Sequence, residues 1–248
     1  MNNNFTQTAI NNTKKKLIVA LDMPERADAD RIIQKTADYV GYYKIGLGFL
    51  ANNGIDYAAS LAKEGHKIFL DLKLFDIPQT ITDSVARLVE KTQANILTVH
   101  GDQYIVSAAI KGRNLAGMHD LNIYAVTILT SLDLSDLICT GYQTTSIINL
   151  VTNRAKLAAL AGADGVIASA HEVSAIKGLG YGLKVITPGI RSNGSLSHDQ
   201  KRIMTPVDAL KQGSDKLVIG REITKSENPN ETAKNIFNTV INFDYALN

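Results

Sequence analysis

Eight short runs rich in Val, Ile and Leu recur along the chain, and the stretches between them carry helical spacing. No other feature restricts the fold as much. The runs are KLIVALD (16–22), YYKIGL (42–47), KIFLDLK (67–73), NILTVHG (95–101), IYAVTIL (123–129), DGVIAS (164–169), LKVITPGI (183–190) and KLVIGR (216–221). Their nearly continuous apolar character suits strands covered on both faces, as in a parallel sheet. Between them, Ile32, Ile33, Thr36, Ala37 and Val40 form one stripe. Ile81, Val85, Leu88 and Val89 form a second, and Ile148, Val151, Ala155, Ala158 and Ala159 a third. Recurrence at i, i+3, i+4 and i+7 marks a single buried helix face. A closing helix is expected over 229–243, with Pro229 near its start and Ile236, Val240 and Phe243 along one side.

Strands alternating with helices fit either a closed barrel or an open doubly wound sheet. The open sheet's nucleotide fingerprint is missing: the first strand ends in Asp22-Met23-Pro24, not in G-x-G-x-x-G. Gly178, Gly180 and Gly182 precede a strand and read as a helix stop and turn. The expected fold is therefore α/β, a (β/α)8 TIM barrel with eight parallel strands inside an outer ring of helices. Such barrels typically run to about 250 residues, and this chain has 248. A single barrel domain is expected over 14–248, preceded by a flexible, polar, Asn/Thr-rich tail over 1–13. Lys14–Lys16 then reads as a solvated lead-in to the first strand.

Composition narrows the function classes. Apolar residues at 45% and charged residues at 20% exclude disordered, collagenous and coiled-coil readings. A net charge of +2 argues against nucleic acid as a partner. No apolar run approaches the roughly 20 residues of a membrane-spanning helix, so no membrane association is expected. The polar start lacks the apolar core of a secretory leader. Cys139 is the sole cysteine, which precludes an intramolecular disulfide or a multi-cysteine metal site and makes a reducing cytoplasm the simplest home.

In such barrels chemistry gathers at the C-terminal strand ends. There the sequence places Asp22, Lys44, Asp71-Leu72-Lys73 running on to Asp76, His100, Thr130-Ser131, Ser169, Pro188-Gly189-Ile190-Arg191 and Gly220-Arg221. Strand three is anomalous. Side chains alternate along a strand, so Asp71, Lys73 and Phe69 share one face while Ile68, Leu70 and Leu72 take the other. If the aliphatic face packs on helices, the two charges point into the barrel mouth. Lys44 and Asp22 add a second pair, and such an alternation favours function over a structural ion pair. A lysine flanked by carboxylates is held in its charged form. It suits a reaction that builds negative charge on carbon and then delivers a proton there.

Strands seven and eight commonly form the phosphate site of such barrels. Here they carry Arg191 and the Gly220-Arg221 pair, with a polar loop, Ser192 to Gln200, between them. Gly220 would let a phosphate approach the backbone, Arg221 could grip it bidentately, and the loop could close over it. Three other polar residues read as structural. His100 reads as a hydrogen-bonded rim residue, His171 as a helix-start residue and Cys139 as a packed thiol.

Together these residues resemble one family closely, orotidine 5′-phosphate decarboxylase. The stretch from Phe69 to Thr80, FLDLKLFDIPQT, is similar to its D-x-K-x-x-D-I-P-x-T signature. Leu-Asp at 21–22, Tyr-Lys-Ile-Gly at 43–46, Leu-Thr-Ser at 129–131, Thr-Pro-Gly-Ile-Arg at 187–191 and Val-Ile-Gly-Arg at 218–221 follow in the expected order. The resemblance implies conversion of orotidine 5′-monophosphate to UMP and CO2 without metal or cofactor. It implies Lys73 as proton donor to C6 and Asp71 beside the substrate carboxylate. Lys44 would bond Asp71 and the ribose, and Asp22 a ribose hydroxyl. Thr130 and Ser131 would lie near the pyrimidine. Gln200, Gly220 and Arg221 would hold the phosphate, with Pro188 and Arg191 nearby. Asp76 and Thr80 would reach into a partner subunit's site, implying a homodimer. The alternatives are a Mg²⁺-dependent phosphosugar barrel, in which an acid at the end of strand two helps hold the metal, or a barrel that binds phosphate ligands without catalysis. Lys44 opposes the first, and intact Asp71, Lys73 and Asp76 oppose the second.

Overall fold

The computed structural model describes residues 5–192 and 203–246. Eight parallel strands close on themselves in sequence order. They are β1 (Leu17–Ala20), β2 (Tyr42–Gly46), β3 (Ile68–Leu74), β4 (Ile96–His100), β5 (Asn122–Val126), β6 (Gly165–Ile167), β7 (Lys184–Thr187) and β8 (Lys216–Ile219). The helices are α1 (Gln7–Lys16), α2 (Arg26–Thr36), α3 (Leu47–Leu50), α4 (Gly54–Lys63), α5 (Pro78–Thr92), α6 (Gln103–Leu115), α7 (Leu134–Cys139), α8 (Ile147–Leu160), α9 (Val173–Lys177), α10 (Pro206–Lys211), α11 (Arg221–Thr224) and α12 (Pro229–Ala246). All eight expected strands are present. No helix among the described residues is long and apolar enough to cross a membrane.

Strand alternation divides the core in two. Ile18, Ala20, Tyr42, Phe69, Ile96, Tyr124, Val126, Ile167, Ile186 and Val218 fill the barrel interior. Residues of opposite parity, among them Val19, Ile45, Ile68, Leu70, Leu97 and Val99, pack outward against the helices. The expected split of β3 is thus observed, with Phe69 inside and Ile68, Leu70 and Leu72 outside. Gly165 makes room for the interior: a Cβ there would meet Tyr124 at 2.4 Å and the Lys184 carbonyl oxygen at 2.3 Å. Going up the barrel, the inward positions after Tyr42, Phe69 and Ile96 are Lys44, Asp71 and Thr98. The interior therefore turns polar where the strands end.

The helical stripes lie largely where their spacing puts them. Ile32, Ile33, Thr36, Val40, Ile81, Val85, Val89, Val151, Ala155 and Ala158 are buried, whereas Ala37 and Ile148 are exposed.

Residues 7–13 differ from the expected tail. They form most of α1, which begins at Thr6, whose Oγ1 accepts a hydrogen bond from the Ala9 N–H at 3.2 Å. The cause is an apolar stripe that the Asn-rich composition obscures. Phe5, Ala9 and Ile10 pack against the main core, Thr13 is buried, and Phe5 meets Tyr245 of α12 edge-on. Lys14–Lys16 is accordingly the last turn of this helix, where cations complement the helix dipole. Lys16 also pairs with Asp244 at 2.6 Å. Cys139 is a second difference: it is exposed at the end of α7, and Leu137 takes the buried position there.

Candidate active site

A pocket of about 760 Å³ opens at the C-terminal ends of the strands. Asp22, Lys44, Asp71, Lys73, Thr130, Ser131, Pro188, Arg191, Gly220 and Arg221 all line it. Its volume falls within the roughly 300–1,000 Å³ of small-ligand clefts.

One wall is a row of alternating charges. Lys44 Nζ donates to Asp22 Oδ1 at 2.9 Å and lies 3.4 Å from Asp71 Oδ2. Asp71 Oδ1 accepts from Lys73 Nζ at 2.8 Å. The side chains of Lys44 and Asp71 are 9% and 13% exposed, so this part of the row is shielded from water, while Lys73 at 33% reaches toward the open pocket. Gly46 makes the first pairing possible, because a Cβ there would stand 3.1 Å from both Asp22 Oδ1 and Lys44 Nζ. Burial opposes the Lys44 ammonium, but Asp71 and Asp22 outweigh it and hold its pKa above the ordinary lysine value. Burial likewise opposes the Asp71 carboxylate. Lys44, Lys73 and hydrogen bonds from Lys73 and Thr98 overcome that and hold its pKa below the usual carboxylate value. Both groups therefore stay charged.

Lys73 owes its direction to a bulge. β3 advances from Leu70 to Leu74 while β4 advances only from Leu97 to Val99. Lys73 adopts φ +47°, in the left-handed region that few non-glycine residues occupy. A bulge of this kind re-aims a side chain at the rim of a barrel. The Lys73 N–H leaves the backbone ladder and donates instead to Thr98 Oγ1 at 3.0 Å. Thr98 lies within β4 and not at its end, so it falls outside the set of strand-end residues. The signal was available: Ile96, Thr98 and His100 share the inward parity.

The ends of β7 and β8, the latter paired with β1, carry two arginines. Arg221 opens α11, and Arg191 is buried on the loop after β7. Burial lowers the Arg191 pKa, Glu222 opposes this, and the like charge of Arg221 adds to it. A guanidinium stays protonated nonetheless, so two like charges are gathered at one place, an arrangement an anion would relieve. Glu222 accepts the Ser192 N–H at 3.0 Å, and the Arg191 N–H bonds the Met204 carbonyl at 3.0 Å. The ends of the intervening loop are thereby fixed on α11 and on each other. From 193 to 202 the loop lies outside the described residues, Gln200 included. Phe69, Val126, Ile128, Ile167 and Val218 also line the pocket and give it apolar surface on which a flat ring could pack.

Asp76 and Thr80, the two residues expected to serve a partner subunit's site, lie outside this pocket. Both are exposed, on the segment after β3 and the first turn of α5. The alternation at the mouth is thus of four charges within one chain, and the exposed segment after Leu74 carries Asp76 away from it. Asp76 Oδ1 instead accepts the Ile77 N–H at 2.7 Å. His100 is the expected rim residue: it bonds Asp102 at 2.7 Å and packs on Phe75. Among the described residues no group of three His, Cys, Asp or Glu side chains gathers that could hold a metal ion.

Comparison with known proteins places the chain in a family. The model of the Orotidine 5′-phosphate decarboxylase / HUMPS family matches residues 15–236. A curated orotidine 5′-phosphate decarboxylase of Jannaschia sp. (strain CCS1) is 44% identical over 222 residues, covering 88% of this chain and 95% of its own. One from Nitrobacter winogradskyi is 42% identical over 224 residues, covering 90% and 91%. The crystal structure of orotidine 5′-phosphate decarboxylase from Lactobacillus acidophilus superposes with a TM-score of 0.77 at 31% identity, covering 92% of this chain and 99% of that one.

Proposed function

The chain belongs to the orotidine 5′-phosphate decarboxylase / HUMPS family, and on that footing we propose that it decarboxylates orotidine 5′-monophosphate to UMP and CO2 in pyrimidine biosynthesis. The observation that carries this reading is the row Asp22–Lys44–Asp71–Lys73 sharing one pocket with Arg191, Arg221 and a set of apolar side chains.

Each part has a role. Arg191, Arg221 and Gly220 hold the phosphate, with Pro188 beside them, and Gln200, outside the described residues, is assigned to the same group. Phe69, Val126 and Ile167 pack on the pyrimidine, with Thr130 and Ser131 at its edge. Asp22 and Lys44 bind the ribose hydroxyls. The bond from C6 to the carboxyl carbon then breaks, CO2 departs, and the electron pair remains on C6. The Lys73 ammonium stabilises that pair and transfers a proton to C6, and solvent reprotonates the amine. Asp71 keeps Lys73 charged and aimed before the transfer. Binding energy from the phosphate, remote from C6, contributes to organising the site.

The HUMPS half of the family name is the second reading, a Mg²⁺-dependent phosphosugar reaction. Lys44 argues against it: an ammonium stands between the two acids that a cation would need. A homodimer belongs to the proposal, with Asp76 and Thr80 completing the neighbouring site. In its support, Phe75 and Ile77 flank Asp76 at 60% and 66% exposure and Tyr104 is 52% exposed nearby, a concentration of apolar surface that a partner would cover. A cytoplasmic location is likewise proposed.

The test is turnover of orotidine 5′-monophosphate by purified protein with excess EDTA. UMP formation unaffected by EDTA is expected. Activity lost only with EDTA would favour the metal-dependent reading, and phosphate-ligand binding without turnover would mean a barrel that only binds.

A further inference from the structure

We infer that Thr98 is a positioning residue for the reaction, its one hydroxyl fixing both the Asp71 carboxylate and the bulged backbone of Lys73; this rests on the decarboxylase reading above. Thr98 is fully buried on β4. Its Oγ1 donates to Asp71 Oδ1 at 3.0 Å and accepts the Lys73 N–H at 3.0 Å. Both bonds of this hydroxyl therefore go to residues of the charged row. Asp71 Oδ1 is also the atom that accepts from Lys73 Nζ at 2.8 Å. Thr98 thus closes a small ring, from the Lys73 backbone through the hydroxyl and the carboxylate to the Lys73 side chain.

The chemistry needs such a clamp. A left-handed conformation at a lysine is held only where surrounding contacts determine it. The bulge takes the Lys73 N–H from its ladder partner, and a buried N–H requires an acceptor. Thr98 supplies it. The same hydroxyl fixes which oxygen of Asp71 faces Lys73, leaving Oδ2 for Lys44. A group that must deliver a proton to one carbon is sensitive to misplacement of well under an ångström. The charged groups facing Asp71 are Lys44 from β2 and Lys73 from β3, with Asp22 beyond Lys44. Thr98 is the neutral member of this set and changes its geometry without changing its charge.

The variants Thr98→Val and Thr98→Ser separate positioning from packing. Val keeps the shape and removes both hydrogen bonds; Ser keeps the hydroxyl. Thr98→Val is expected to lower kcat for orotidine 5′-monophosphate roughly 10- to 100-fold, with KM changed by less than about threefold. The acid limb of its kcat–pH profile should move to higher pH, because Asp71 loses a donor to its charged form. Thr98→Ser should restore kcat to within a few-fold of the unaltered chain. A Val variant that binds UMP normally and keeps ordinary kcat and an unmoved acid limb overturns the role. So does a loss of kcat shared equally by Ser and Val. Should Val prove unstable, Ser decides alone, since a few-fold effect with an unmoved profile is expected and a loss as large as 100-fold contradicts the clamp. No turnover by the unaltered chain is a different failure, that of the decarboxylase reading itself.

Discussion

Lys73 Nζ stands 2.8 Å from Asp71 Oδ1, on a lysine whose backbone is left-handed. The pair is separated by one residue in sequence, and a regular strand would set the two side chains parallel. The bulge between β3 and β4 changes the aim of Lys73, so the pair forms and the ammonium still reaches the pocket. Proton delivery in the proposed reaction depends on that relationship, which makes its electrostatics the first thing to probe.

Asp71 carries a pKa held below the ordinary carboxylate value of 3.8, against burial and because of Lys44, Lys73 and Thr98. A carboxylate depressed in the folded state adds stability above its unfolded value, and that stability disappears as pH falls through the folded value. Unfolding free energy measured with urea should therefore fall as pH drops below about 4. In Asp71→Asn this part of the fall should be absent, leaving a shallower slope. An unchanged slope would mean that Asp71 is not held as described.

Arg221 and Arg191 are assigned to the phosphate. Arg221→Ala should raise KM for orotidine 5′-monophosphate roughly 10- to 100-fold, the size expected for losing a charge-assisted contact. The same variant should leave unchanged the slow turnover of the nucleoside that lacks the phosphate. Steady-state kinetics on both substrates check this, and an equal loss on both would place Arg221 in the chemistry instead.

The legibility of these features in the sequence divides along physical lines. The eight strands were legible because strands buried on both faces must be apolar along their buried length, as in Leu17–Ala20 and in 217–219 of β8. The row from Asp22 to Lys73 was legible because charges at the ends of such strands are rare without a reason. α1 was not, because its apolar positions Ala9 and Ile10, with Phe5 just before it, are sparse among asparagines of low helix propensity, and their packing depends on distant parts of the chain such as Tyr245 of α12. The inward parity of Thr98 was legible, shared with Ile96 and His100, but the partners of its hydroxyl were not, because they depend on the bulge opposite it. The exposure of the segment after Leu74 has the same character, since no local pattern separates Asp76 from the acids that line the pocket.

Asp76 and Thr80 lead to a prediction about assembly. If they complete a neighbouring site, inactive Lys73→Ala and Asp76→Ala chains should regain activity when mixed under subunit exchange. Each mixed dimer then contains one site with both residues intact. Continued inactivity after exchange has been demonstrated by mass-tagged subunits would place both residues' function within one chain.

The central claim is that Lys73 delivers the proton to C6. The most direct measurement is the turnover of orotidine 5′-monophosphate by Lys73→Ala, alongside its affinity for UMP. The account predicts a fall in kcat of at least about 10⁴-fold, the upper range for a positioned acid acting alone, with UMP still bound because Arg191 and Arg221 are untouched. A Lys73→Ala chain that binds UMP and keeps ordinary turnover would contradict it.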